Sequence, residues 1–126
     1  MSKQKVETSA APAAIGPYSQ GVVLGNLIFV SGQLPIDPET GAFPEGGAEN
    51  LTKQSMKNIS AVLEAAGSSL NKIVKTTIFV KDLADFAVIN NAYAESFDGV
   101  APARSCVQVA ALPKGAQLEI EAIAEL

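Results

Sequence analysis

Apolar residues cluster in short β-prone runs toward both ends of the chain and recur at helical spacing between them. In "VVLGNLIFVSG", Val22–Leu24 and Leu27–Val30 are β-prone. Gly25-Asn26 between them suits a two-residue type II′ turn, which predicts a hairpin. Residues 3–8 suggest a preceding edge strand, and "DPETGAFPEGG" reads as a turn-rich loop. From Glu49 to Ala66, Met56, Ile59, Val62, Leu63 and Ala66 fall on one helical face. Gly67 suits the left-handed residue that ends such a helix. "KIVKTTIFVK", Lys72–Lys81, is rich in β-branched residues and predicts a central strand. Asp82 can cap a second helix, with Asp85 in its first turn. The apolar stripe of that helix runs Leu83, Phe86, position 90, Tyr93, Phe97, and position 90 holds Asn90. Two strands, Ala103–Ala110 and Gln117–Glu125, close the chain as a hairpin through Leu112-Pro113-Lys114-Gly115.

Hairpin, helix, strand, helix, hairpin predicts one α+β domain over residues 1–126, with both helices on the same face of one mixed sheet. Alternation in the last hairpin turns Ser105, Val107, Val109, Leu118, Ile120, Ala122 and Ala124 toward the helices. Arg104, Cys106 and Gln108 then share the other face with Glu119, Glu121 and Ile123. That face is too polar for a dry core, and Phe29 adds apolar surface to it. Such a face is often covered by another subunit, which leaves polar pockets at the seams.

Composition sharpens the reading at a few residues. The 126-residue chain is 48% hydrophobic with a formal net charge of −4. It holds eight scattered lysines, one arginine, one cysteine and no histidine. The charge argues against nucleic acid as a partner. A zinc site from this chain alone is nearly excluded, and no P-loop or dinucleotide fingerprint is present. The N-terminus lacks a signal-like apolar core, no run is long enough to span a membrane, and one cysteine forms no intrachain disulfide. These point to a cytoplasmic protein.

Arg104 is the single arginine, set in "PARSC" inside an apolar strand. It either pairs with Glu119 or Glu121 across the hairpin or holds the carboxylate of a small molecule through its planar fork. In the second case Glu119 would handle protons or a water. Asn90 either makes a structural hydrogen bond or faces a site. Cys106 is either an inert small hydrophobe or a thiolate favoured by Arg104, though no histidine serves it as base. Ser31 lacks triad partners. Gly32 beside it either brings backbone close to a ligand or allows a strand bulge.

"APAAIGPYSQGV", "VSGQLPIDPETG", "VKTTIFVKDLADF", "PARSCVQVAALPKGA" and "EIEAIA" together resemble the RidA group of the Rid proteins, the reactive imine deaminases. The likeness runs from about Ala10 to Ala124. It implies a chorismate-mutase-like fold and a homotrimer with active sites in the clefts between subunits. It also implies hydrolysis of 2-imino acids, such as 2-iminobutanoate and 2-iminopropanoate, to 2-oxo acids and ammonia, without a cofactor. By the same resemblance Arg104 binds the substrate carboxylate and Glu119 lies near the attacking water. The backbone carbonyl of Cys106 holds the imine nitrogen, and Tyr18, Ser31, Gly32 and Asn90 line the pocket. The short "FDGVA" before "PARSC" departs from many relatives and bears on the pocket rim. An alternative is a regulatory module that binds small carboxylates without turnover. Chorismate mutase chemistry would need several cations where Arg104 stands alone, and an acidic chain without histidine offers little support for a ribonuclease.

Overall fold

The computed structural model describes residues 2–126. Six strands form one sheet: β1 Gln4–Val6, β2 Gly21–Leu24, β3 Leu27–Gln33, β4 Ile73–Val80, β5 Ala103–Gln108 and β6 Leu118–Glu125. Two helices, α1 Gly47–Ala65 and α2 Phe86–Ala94, accompany them. The spatial order is β1-β2-β3-β6-β4-β5. All pairings are antiparallel except β4 with β5.

Most local expectations hold. The β2–β3 turn has φ 63° at Gly25, and Asn26 is not among the positive-φ residues, as a type II′ turn requires. Helix α1 buries Met56, Ile59, Val62 and Leu63. It ends in a Schellman motif: Gly67 at φ 84° donates to Glu64 O (3.0 Å), and Ser68 donates to Leu63 O (2.9 Å). Asp82 accepts from Ala84 N (2.9 Å), capping a 3₁₀ turn over 83–85 that leads into α2.

The closing hairpin does not form. β6 inserts between β3 and β4, and β5 lies at the sheet edge, parallel to β4. One row crosses the sheet as Val6, Gly21, Val30, Ala122, Thr76 and Arg104. The next joins Gln33, Ile120, Ile78 and Cys106. These rows include Val30, Ala122, Thr76, Ile120 and Ile78, all buried in the core beneath the helices. Arg104, Cys106 and Gln108 therefore face the helix layer, the reverse of the predicted alternation in β5. Val107, expected toward the helices, lies opposite Phe79 on the open face and is 44% exposed. The assignment in β6 was right: Leu118, Ile120, Ala122 and Ala124 are buried, while Glu119, Glu121 and Ile123 point away. The apolar-equals-inward rule fails in β5 because an edge strand next to the nine-residue α2 has little helix above it. Its inward positions border the rim of the core, where a charge can be accommodated.

The open face carries Phe29 and Ile123 in one row, Glu121, Thr77 and Ser105 in the next, then Glu119, Phe79 and Val107. Phe29 is 40% exposed there. On the core side, Ile28, Ile59, Leu63, Ile78, Leu118 and Ile120 are almost wholly buried, each contributing about 1.5–3 kcal/mol. Two buried polar residues of α1 tie the chain after β3 to this core. Asn58 donates to Leu34 O (3.1 Å) and Ile36 O (2.9 Å), and Ser55 donates to Gln33 O (3.0 Å). This fixes one wall of the larger cleft described next.

Candidate active site

The residues singled out in the sequence separate into two clefts. The larger, about 760 Å³, contains Tyr18, Ser31, Gly32 and Glu119, with Leu34, Ile36 and Lys114 in its walls. The smaller, about 350 Å³, is lined by Asn90, Tyr93, Ala94, Ala101, Pro102 and Arg104. Arg104 and Glu119 were expected on one face of a hairpin. They lie on opposite faces of the sheet, on strands separated by β4. An ion pair between Arg104 and Glu119 or Glu121 is thus absent, and Arg104 enters no salt bridge among the described residues.

In the larger cleft, β3 bulges. Val30 opposes Ala122 and Gln33 opposes Ile120, so three steps on β3 match two on β6. Ser31 and Gly32 form the irregularity. The Ser31 hydroxyl donates to Ser19 O (2.5 Å), and Ser31 N donates to Gln20 O (2.9 Å), so this serine ties down the segment bearing Tyr18. Gly32 lets the Glu119 carboxylate lie against bare backbone. A Cβ at Gly32 would stand 2.7 Å from the Glu119 carboxyl carbon and overlap Oε1. Burial raises the Glu119 pKa above the usual carboxylate value, and the neighbouring Glu121 charge raises it further.

The arm before β2 forms another wall. The buried amide of Gln20 accepts from Thr8 N (2.7 Å) and donates to Thr8 O (3.0 Å), Ala11 O (3.3 Å) and Pro12 O (2.8 Å). Pro12, Ala13, Ile15 and Tyr18 of this arm face the cleft. Gln20 was missed in the sequence because a glutamine among turn residues carries no distinctive signal.

In the smaller cleft, Arg104 Nη1 donates to Asn90 Oδ1 (2.6 Å). Asn90 thus makes a side-chain hydrogen bond and also lines the smaller cleft, so both expectations for it meet at the arginine. The guanidinium carbon is 5.4 Å from the Phe86 ring centroid and 5.3 Å from that of Tyr93. Phe86, Asn90 and Tyr93 belong to the stripe read from periodicity, but the face of α2 that packs into the core is Ile89, Ala92 and Tyr93. Leu83 and Phe86 are partly exposed, so the stripe was placed off the core face, and Phe86, Asn90 and Tyr93 instead surround the arginine.

Cys106 lies one row from Arg104 and packs partly against the core. Burial raises its thiol pKa, only partly offset by Arg104, which disfavours a thiolate nucleophile. Its backbone is more available than its sulfur. Val109 N donates to Val80 O (2.9 Å). Residues of one parity on a strand bond to one side, so Arg104 and Cys106 turn their N–H and C=O to the free edge. Cys106 borders neither cleft within the chain.

A family model described as Endoribonuclease L-PSP matches residues 8–126. The 2-iminobutanoate/2-iminopropanoate deaminase of Salmonella typhimurium is 54% identical over 122 residues, covering 94% of each chain. The chain belongs to the Rid family. The RutC family protein y4sK of Sinorhizobium fredii is 51% identical over 98% of each chain. The crystal structure of YyfA from Yersinia pestis, a protein of unknown function from the conserved Rid family, superposes with a TM-score of 0.96. It is 49% identical, with 99% of this chain and 100% of that one covered. The expected two-layer α+β fold is therefore the Rid fold.

Proposed function

We propose that this Rid protein is a cofactor-independent hydrolytic deaminase. It converts 2-imino acids of the 2-iminobutanoate and 2-iminopropanoate type to 2-oxo acids and ammonia in the cytoplasm. The deaminase name of the relative at 54% identity supports the reaction class. The observation that carries the mechanism is the separation of Arg104 and Glu119 into clefts on opposite faces of one sheet. Neither cleft alone holds both a carboxylate clamp and a proton-transfer group. A second copy docked on the open face and the β5 edge would bring the Arg104 cleft of one subunit to the Glu119 cleft of the next. The partly apolar open face, with Phe29, Val107 and Ile123, favours such docking, and a closed homotrimer repeats the junction at every site.

In this reading Arg104 grips the substrate carboxylate with its fork, and the Cys106 carbonyl accepts from the protonated imine nitrogen. That imine is already electrophilic, so water attacks C2 without a covalent nucleophile. Glu119 takes a proton from the attacking water and returns it to the amine of the carbinolamine. As the C–N bond breaks and ammonia leaves, the re-ionised Glu119 takes the hydroxyl proton, the C=O bond of the 2-oxo acid forms, and that proton departs with the ammonia as ammonium. A carboxyl group with raised pKa suits both halves of this exchange. An RNA-cleaving reading gains nothing from these clefts, which hold no histidine and place Glu119 and Glu121 beside Lys114.

The test is an assay of imine hydrolysis, with several imines generated in situ by an amino-acid oxidase. Faster ammonia release in the presence of the protein, abolished by Glu119→Gln, is the expected result. Binding of 2-oxobutanoate without any acceleration would mark a carboxylate-binding module and overturn the proposal.

A further inference from the structure

Arg104 faces the helix layer, yet among the described residues no carboxylate forms a salt bridge with it. Its local partners are two aromatic rings and one amide oxygen. Phe86 and Tyr93 are seven residues apart on α2, about 10.5 Å along its axis. A guanidinium carbon within 5.4 Å of both centroids therefore lies between them, over the turn that carries Asn90. Tyr93 is itself fixed. Its hydroxyl shares a 2.6 Å hydrogen bond with buried Thr76, and its ring meets Phe97 edge-on at 4.9 Å. Thr76 is the cross-strand neighbour of Arg104, so the strand pair and the helix brace the same group from two sides.

We infer that Phe86 and Tyr93 are positioning residues for substrate carboxylate binding, holding the Arg104 fork between two ring faces with Asn90 fixing its rotation. The rings attract the cation without competing for its N–H donors, as an acidic partner would. Asn90 takes up Nη1, and the remaining donors stay available to a ligand carboxylate. An arginine has many rotamers, and ordering one on binding costs affinity. Here that ordering is built into the free protein. The inference rests on the reading of Arg104 as a carboxylate clamp.

The experiment measures 2-oxobutanoate affinity by titration calorimetry, alongside KM and kcat for imine hydrolysis. Phe86 is 38% exposed, so Phe86→Leu tests a ring whose loss the fold can absorb. Phe86→Trp restores a ring face, and Arg104→Ala serves as the reference. Phe86→Leu is expected to weaken 2-oxobutanoate binding and raise KM roughly three- to thirty-fold, the scale of a cation–π contact. Its kcat should stay within about two-fold, because Glu119 is untouched. Phe86→Trp should return affinity to the wild-type range, and Thr76→Val, which frees the Tyr93 hydroxyl, should share the direction of Phe86→Leu at smaller size. If Arg104→Ala abolishes binding while Phe86→Leu binds as the wild type does, the positioning role is wrong and the clamp stands. If Phe86→Leu lowers kcat and leaves KM unchanged, the rings do not act through the carboxylate and the inference also falls. If Arg104→Ala binds 2-oxobutanoate as well as wild type, the clamp fails and the positioning role falls with it.

Discussion

If the site is divided between chains, two inactive variants should restore each other. Arg104→Ala removes the guanidinium of the smaller cleft and leaves the larger intact, while Glu119→Gln removes the carboxylate of the larger cleft and leaves the smaller intact. Each alone should reduce turnover to about one part in a hundred or a few parts more, given the usual scale of lost charge-assisted hydrogen bonds and general acid–base help. Co-expressed in equal amounts with different tags and purified together, the two chains co-assemble at random. Every junction takes Arg104 from one subunit and Glu119 from the next. About a quarter of the junctions then carry both wild-type groups, about half carry one, and about a quarter carry neither. The whole random pool should therefore show about a quarter of wild-type specific activity, and mixed trimers isolated on both tags about a third, well above the background of either parent. The assay is ammonia release from an in situ imine, with each parent and their unassembled mixture as controls. Mixed oligomers no more active than their parents would show that both groups act from one chain. A fully active monomer in sedimentation equilibrium would remove the premise.

Gly32→Ala places a methyl group where the Glu119 carboxylate lies; the carboxylate is the flexible partner, so turnover should fall at least ten-fold with little change in Tm. Arg104→Lys keeps the charge but loses the fork, and kcat/KM should drop roughly ten- to a hundred-fold; undiminished activity would refute the bidentate clamp. The raised pKa of Glu119 predicts that the ascending limb of kcat/KM against pH lies above the usual carboxylate range and vanishes in Glu119→Gln. The same shift has a stability consequence: a carboxyl that holds its proton more tightly when folded favours folding below its unfolded pKa and loses that advantage as pH rises through its folded pKa. Glu119→Gln should therefore gain thermal stability over wild type at neutral pH and not in acid, as scanning calorimetry would show. Cys106→Ala should keep most of its activity, because the backbone carbonyl survives the substitution; loss of turnover with intact 2-oxobutanoate binding would restore the thiol as a candidate nucleophile.

The sequence was most legible where local chemistry and burial agree. Gly25 at its turn, Gly67 at the end of α1, and the alternation of Leu118, Ile120, Ala122 and Ala124 each have one consistent solution. β5 was misread because Val107 outranks Arg104 on any hydropathy argument. Its orientation depends on register with β4, where Thr76 meets Arg104, and nothing within β5 encodes that pairing. The insertion of β6 between β3 and β4 is likewise a long-range choice, invisible to a reading that joins neighbouring strands first. Tyr18, Ser31, Gly32 and Glu119 share one cleft while Asn90 and Arg104 share another, a division between two faces that the sequence did not suggest. Alternation tells which residues of a strand go together, and only the fold tells which way each strand is turned. α2 shows a related limit: its large aromatics suggested a face through Phe86, yet the helix buries Ile89 and Ala92 beside Tyr93.

Gln20 gives the arm over residues 8–12 a stability of its own. Five residues without strand or helix are held by one buried amide through four hydrogen bonds. Their detachment needs those bonds to break and exposes one small core residue, Ala11, while the larger core side chains stay packed. In native-state hydrogen exchange the Thr8 amide should open at a free energy well below that of β6, whatever the global stability. A substitution in the core that lowers the melting temperature would leave this opening unchanged. One that shortens Gln20 would loosen a wall of the Glu119 cleft while the rest of the molecule stays folded. The entrance to the larger cleft thus has its own set point, which selection or engineering can adjust without touching the core.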